Sequence, residues 1–205
     1  SLVGSEMCIR DSPIFALAEK NQKRAKNIIE ETNIINIWKS IGAEINLVGS
    51  LRMGLLLKHK DIDFHIYTTQ LNIHDSFKAI AQLAQSPSIT KIEYNNLIDT
   101  EEHCIEWHAW YIDKDNDLWQ IDMIHILKGS RYDGYFEKVA DNICAALTPE
   151  KKLAILTLKN ETPDTEKIMG IEYYQAVIEN GIDNYSDFIE WRKKHPANGI
   201  VNWIP

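Results

Sequence analysis

Two aspartates spaced i and i+2, in Lys60-Asp61-Ile62-Asp63-Phe64, stand ten residues after a Gly49-Ser50 pair that ends an apolar run. Polar and apolar residues alternate strictly from Asp61 to Tyr67, the pattern of a half-buried strand with Asp61, Asp63, His65 and Tyr67 on one face. Two carboxylates on one strand face can share hard divalent cations, which take oxygen ligands and bridge to phosphate oxygens. Gly49 lets the backbone approach a phosphate closely. Ser50 adds a hydroxyl donor, and the start of a short helix there favours negative charge. Metal and phosphate sites are thereby adjacent, as phosphoryl or nucleotidyl transfer requires.

A third carboxylate is expected on a neighbouring strand. Asp122 is the only acid inside the otherwise apolar run Leu118 to Ile126, and a lone buried carboxylate is costly unless paired or metal-bound. Arg52 lies in the turn beside the phosphate position, where a solvated surface role is equally open. Glu106 and His108 share a parity that can turn both toward the cleft. For His65 a simple hydrogen-bonded strand histidine is the plainer reading. His103, Cys104 and His108 match no ligand spacing of a structural zinc site.

These residues sit in a legible run of elements. Apolar residues recur at helical spacing from Pro13 to Ile41, predicting one long or broken helix capped by Gly42. A strand over Glu44 to Val48 follows, then a helical turn through Leu55–Leu57 and the strand carrying the aspartates. A helix from Asp75 to Gln85, a strand from Ile89 to Tyr94 and a hairpin of Ile105–Ile112 with Leu118–Ile126 complete an α/β core. Helices are predicted over Gly134–Leu147, from Thr148-Pro149 onward, from Pro163 to before Gly181, and over Ser186–Lys194. Cys144 reads as a core residue, the Tyr173-Tyr174 pair as packing of the tail, and Phe188 with Trp191 as a helix-docking pair. The fold class is α/β (α+β), a mixed sheet of four or five strands with a helical C-terminal subdomain. The expected domains are residues 13–128 and 129–205.

Residues 1–12, Ser-Leu-Val-Gly-Ser-Glu-Met-Cys-Ile-Arg-Asp-Ser, look like an in-frame translation of a sequencing-library adapter and are set aside from fold reasoning. The full chain of 205 residues carries 30 Asp+Glu against 22 Lys+Arg, a formal net charge of −8. That acidic balance disfavours long nucleic acid as a partner, since counterion release needs a positive surface. No apolar run approaches the roughly 20 residues of a membrane span. The 3 cysteines are odd in number and unpaired in spacing, which favours a reducing, cytoplasmic setting over a disulfide scaffold.

The ordered set Gly49-Ser50, a ten-residue spacer, Asp61-Ile62-Asp63 and a later strand acid resembles the core motif of the DNA polymerase beta-like nucleotidyltransferase superfamily. The resemblance covers roughly residues 35–128. It implies that Asp61, Asp63 and Asp122 hold two Mg²⁺ ions, with Mn²⁺ as a possible substitute, and that Asp122 helps deprotonate an acceptor hydroxyl. It also implies that Gly49, Ser50 and Arg52 hold the β- and γ-phosphates of an NTP, with Lys128, Arg131, Lys151 or Lys152 as further phosphate contacts. The acceptor implied is a small molecule, a second nucleotide, a protein or an RNA 3′ end, and pyrophosphate is released. The competing reading is a catalytically weak nucleotide-binding partner protein of the same fold. The spacing assigns no acceptor, base preference or oligomeric state.

Overall fold

The computed structural model describes residues 12–197 and 199–205, so the adapter-like segment lies outside the described residues apart from Ser12. The chain forms two compact units. One comprises Lys23–Arg52 and Lys60–Lys138, and the other Ser1–Gln22, Met53–His59 and Val139–Pro205. The division runs through the first helix and takes residues 53–59 into the helical unit. The expected boundary at 128/129 instead treated the chain as two consecutive blocks.

The sheet unit starts with the latter half of α1 (Pro13–Glu31) and with α2 (Ile34–Ser40). The predicted long helix is broken at Asn33, whose left-handed φ of 53° no helix interior adopts. Five strands follow: β1 (Glu44–Val48), β2 (Asp61–Thr68), β3 (Ile89–Leu97), β4 (Cys104–Ile112) and β5 (Leu118–Leu127). The short helix α3 (Gly49–Arg52) leaves β1 directly, and α4 (Ile73–Leu83) precedes β3. The spatial order is β1-β2-β5-β4-β3, with β2 and β5 parallel and every other pair antiparallel. That order brings β5 beside β2, although α4, β3 and β4 intervene in sequence.

One face of this sheet is the core. Ile62, Phe64, Ile66, Ile105, Trp107, Ala109, Trp119, Ile121 and Met123 are all buried on it, at the period-2 spacing expected of a half-buried sheet. The α2 helix packs against α4 beside them. Polar atoms on this face are matched: Trp107 Nε1 donates to Ser76 Oγ at 2.8 Å, and His125 lies 3.2 Å from the same oxygen and 2.8 Å from Thr68 Oγ1. The β4–β5 turn is organised by buried Asp113, which accepts from the Asp115 and Asp117 amides, from Trp119 Nε1 and from Arg24. The α4 helix buries Ser76, Ala79, Ile80 and Leu83 and leaves Phe77 44% exposed.

In the helical unit, α5 (Tyr135–Ala146, shared with the sheet unit), α6 (Pro149–Glu161), α7 (Gly170–Asn180) and α8 (Tyr185–Lys194) are joined by the first half of α1. Thr148 caps α6 through the Lys151 amide, with Pro149 at the first turn. The stretch predicted to be helical at Leu55–Leu57 is irregular, and the helical turn sits earlier, at α3. Side chains take its carbonyls instead: Asn21 Nδ2 donates to Leu57 O at 2.6 Å, Gln22 to Gly54 O at 3.0 Å and Lys159 Nζ to Leu55 O at 2.9 Å. The α7 helix begins at Gly170 rather than near Pro163, its start tied down by Glu172 accepting from the Met169 amide. Tyr173 and Tyr174 are buried, and Phe188 stacks on Tyr173 at 4.8 Å between ring centroids and on Trp191 at 6.4 Å. Cys144 is exposed, which corrects its assignment to the core. Neither it nor buried Cys104 forms a disulfide among the described residues.

Candidate active site

The second face of the sheet carries the sequence-predicted acids. Asp61 and Asp63 on β2 and Asp122 on β5 point to this face, because the strands are parallel and Asp63 is registered opposite Asp122. Neighbouring strands lie about 4.8 Å apart, so paired side chains on one face stand close enough to share a ligand. The register extends into one row across all five strands: Val48, Asp63, Asp122, His108 and Glu93. Gln120, paired with Asp61, begins the next row.

Gly49 closes the end of this row. Its φ is +66°, and a Cβ there would lie 2.0 Å from Asp63 Oδ2 and 2.7 Å from Asp63 Cγ. Any L side chain would displace that carboxylate, so glycine is required twice over, by conformation and by space. Ser50 follows half-buried in α3, and Arg52 Nη1 donates to Leu47 O at 3.1 Å, so Arg52 helps brace its own turn.

Asp122 is held firmly. Its Oδ1 accepts from His108 Nδ1 at 2.6 Å and from Gln120 Nε2 at 2.8 Å. The hydrogen bond to Asp122 raises the His108 imidazole above its ordinary value, against a smaller opposing effect of burial. The shared parity of Glu106 and His108 anticipated their direction. Gln120 was not anticipated, although its place two residues before Asp122 on the same strand was the available signal.

Farther along the same face the sheet is covered. His65 is 7% exposed, edge-on to Phe136 at 4.8 Å, with no partner at Nδ1, so it is not the hydrogen-bonded histidine expected. Burial pushes it down to about 4, which keeps it neutral. Tyr67 donates to Glu137 on α5, and Glu137 also accepts from Asn46. Burial and the Glu137 bond both raise the Tyr67 phenol. Lys128 lies at this covered end: its amide pairs with Thr68 O, five residues beyond Asp63 or about 17 Å along the strand. Its ammonium pairs with Glu44 at 3.0 Å. The structure therefore brings Gly49, Asp61, Asp63 and Asp122 to one place and sets Lys128 apart from them. Arg131 sits over the Tyr132 ring and pairs with Glu101 at 3.9 Å, while Lys151 donates to the Ala146 carbonyl and Lys152 faces Phe15.

The donor set of the three aspartates is all hard oxygen, which suits Mg²⁺ or Mn²⁺ rather than a thiolate-seeking metal. Among the described residues, Glu102, Cys104 and Glu106 have possible ligand atoms within 4.8 Å of one another. Cys104 packs with Tyr67 and Ile126, and burial, aided by the two glutamates, pushes its thiol up to about 12. A protonated thiol is a poor ligand. Among the described residues no helix is long and apolar enough to cross a membrane.

No protein-family model and no curated protein sequence matches the chain. Solved structures do. The chain is similar to Cid1 poly(U) polymerase bound to MgATP at 15% identity and a TM-score of 0.59, covering 80% of this chain and 51% of that one. It is similar to the GLD-2–GLD-3 poly(A) polymerase complex at 10% identity and 0.57, covering 80% and 56%. A cytoplasmic RNA terminal U-transferase follows at 16% identity and 0.54, covering 77% and 47%. The chain spans about half the length of these structures. With its five-stranded mixed sheet and flanking helices, it has the nucleotidyltransferase-type fold that they share.

Proposed function

We propose that the protein is a divalent-metal-dependent nucleotidyltransferase that moves a nucleoside monophosphate from an NTP to an acceptor hydroxyl. One observation carries this reading: Asp63 is registered against Asp122 on the open sheet face while the Gly49 backbone presses on the Asp63 carboxylate. Carboxylates for a cation thus meet the Gly49-Ser50 turn at a single point. In this reading Asp61, Asp63 and Asp122 hold the divalent ions, Mg²⁺ or Mn²⁺. The bound ions would supply positive charge to the phosphate oxygens and to the attacking hydroxyl.

The chain's own residues then orient the reactants. The Gly49-Ser50 turn holds the β- and γ-phosphates through its amides and the Ser50 hydroxyl, with Arg52 bracing the turn from behind. Asp122 accepts the proton of the acceptor hydroxyl. The acceptor oxygen bonds to the α-phosphorus as the bond to the bridging oxygen breaks, and pyrophosphate leaves. Lys128 has no part in this reading, because its place is at the other end of β5.

The acceptor is where two lines of support diverge. The acidic net charge of −8 favours a small molecule, a protein or a second nucleotide. The poly(U) and poly(A) polymerases and the terminal U-transferase that share the fold favour an RNA 3′ end. Labelled NTP with Mg²⁺, given alone, with an RNA oligonucleotide or with a small-molecule extract, separates these acceptors by product mass. Asp61→Asn together with Asp63→Asn should lower pyrophosphate release by roughly 10³-fold or more, a barrier change of about 4 kcal/mol. Undiminished turnover in that double variant overturns the reading. NTP binding by calorimetry with no pyrophosphate released to any acceptor would instead favour a catalytically weak nucleotide-binding partner.

A further inference from the structure

We infer that His108 and Gln120 are positioning residues that fix the Asp122 carboxylate for a divalent ion, an inference that rests on the metal-site reading above. Two N–H donors converge on one oxygen: His108 Nδ1 at 2.6 Å and Gln120 Nε2 at 2.8 Å, both to Asp122 Oδ1. Two donors from different directions set both side-chain torsions of the aspartate and leave the ligand role to Oδ2. A carboxylate oxygen accepts, so the contact is an N–H that His108 Nδ1 donates to Asp122. Glu106 Oε2 lies 3.8 Å from His108 Nε2, on the other side of the ring.

The sheet register makes this arrangement rigid. His108 is the direct cross-strand partner of Asp122 on β4, and Asp63 is its partner on β2. Gln120 faces Asp61 in the parallel ladder, and its amide donates to Lys60 O at 2.8 Å. The two positioning residues therefore border Asp122 from the strand beyond it and from its own strand. The side chains of His108 and Asp122 are 22% and 21% exposed, shielded enough for the contact to persist and open enough for an ion to reach the carboxylate. Hydrogen-bond partners of carboxylate ligands commonly change metal affinity by about 10–100-fold when removed.

Mn²⁺ titrated into NTP-free protein, with free Mn²⁺ followed by electron paramagnetic resonance, tests this directly. Relative to the parent chain, His108→Leu should weaken Mn²⁺ binding by roughly 10–100-fold and Gln120→Leu by roughly 10-fold. His108→Asn, which places an amide N–H near the position of Nδ1, should recover most of the loss. A purely structural role would lower the unfolding midpoint in EDTA without this rescue. If His108→Leu fails to fold, Gln120→Leu carries the test. Unchanged Mn²⁺ affinity in the folded variants, while Asp61→Asn/Asp63→Asn abolishes binding, overturns this inference and leaves the metal-site reading intact. Absence of Mn²⁺ binding by the parent chain overturns both.

Discussion

Each face of the five-stranded sheet carries a histidine from the β4–β5 ladder, and the two meet opposite electrostatics. His125, on the core face, is 1% exposed between Thr68, Ser76 and the edge of Trp38, with no carboxylate in hydrogen-bond contact. Burial pushes its imidazole down to about 4, and the more distant charge of Asp75 only softens this. His108, on the aspartate face, sits against Asp122 and is raised instead. The same backbone ladder serves both. The difference is parity: alternate residues enter a medium where charge is expelled or a row where charge is matched. The core face directs its polar contacts to hydroxyls, whereas the aspartate face pairs His108 with a carboxylate.

This contrast can be broken from either side. The largest stability effect is expected at Trp107, whose truncation in Trp107→Ala removes a 2%-exposed ring and the donor to Ser76. Chemical denaturation should show a loss of about 3–5 kcal/mol, with Mn²⁺ affinity of the folded protein unchanged. Next, His125 should tie stability to pH. Its folded-state value lies below the unfolded one of about 6.5, so the unfolded chain binds more protons across that window. Stability from this group is full above about pH 6.5 and falls by about 3 kcal/mol on going to pH 4. Urea midpoints of the parent and His125→Gln chains, compared at pH 7 and pH 4.5, isolate that slope as their difference, since the variant keeps only the share due to His65.

On the opposite face, Gly49→Ala should leave the core packed while driving the Asp63 carboxylate from its place. Pyrophosphate release should drop about 100-fold, equivalent to about 2.7 kcal/mol, and Mn²⁺ affinity should fall with it. The smallest effect is the control Gly42→Ala. That glycine has a φ of +78° but nothing within 4 Å of a Cβ, so only backbone strain of about 1 kcal/mol is expected. Equal activity losses in the two glycine variants would show that conformation, rather than contact with Asp63, is what Gly49 supplies.

Much of this was legible in one dimension. Period-2 alternation located β2, and the hairpin pattern β4 and β5, to within a residue or two, since each keeps an apolar core face. The turn chemistry of Thr148-Pro149 marked the start of α6, because both residues satisfy a local geometric demand. Elements defined by tertiary partners were not legible. Leu55–Leu57 looks helical by composition, yet Asn21 and Lys159 claim its carbonyls from far along the chain. Cys144 has an apolar character that says nothing of which helix face lacks a neighbour. Lys128 follows the right strand, but only the parallel register shows that it emerges at the wrong end of it.

The sequence by itself determined the list of acids, the glycine turn before them and the parity that puts Asp61 and Asp63 on one side of their strand. These are properties of spacing, and spacing survives any arrangement of the strands. The tertiary structure alone decided that β5 inserts beside β2. That placement sets Asp122 against Asp63, while the β4–β5 and β1–β2 pairings bring His108 to Asp122 and the Gly49 backbone onto Asp63. The physical reason is that strand order is a choice among long-range pairings, made by the burial of a whole sheet face rather than by any local signal.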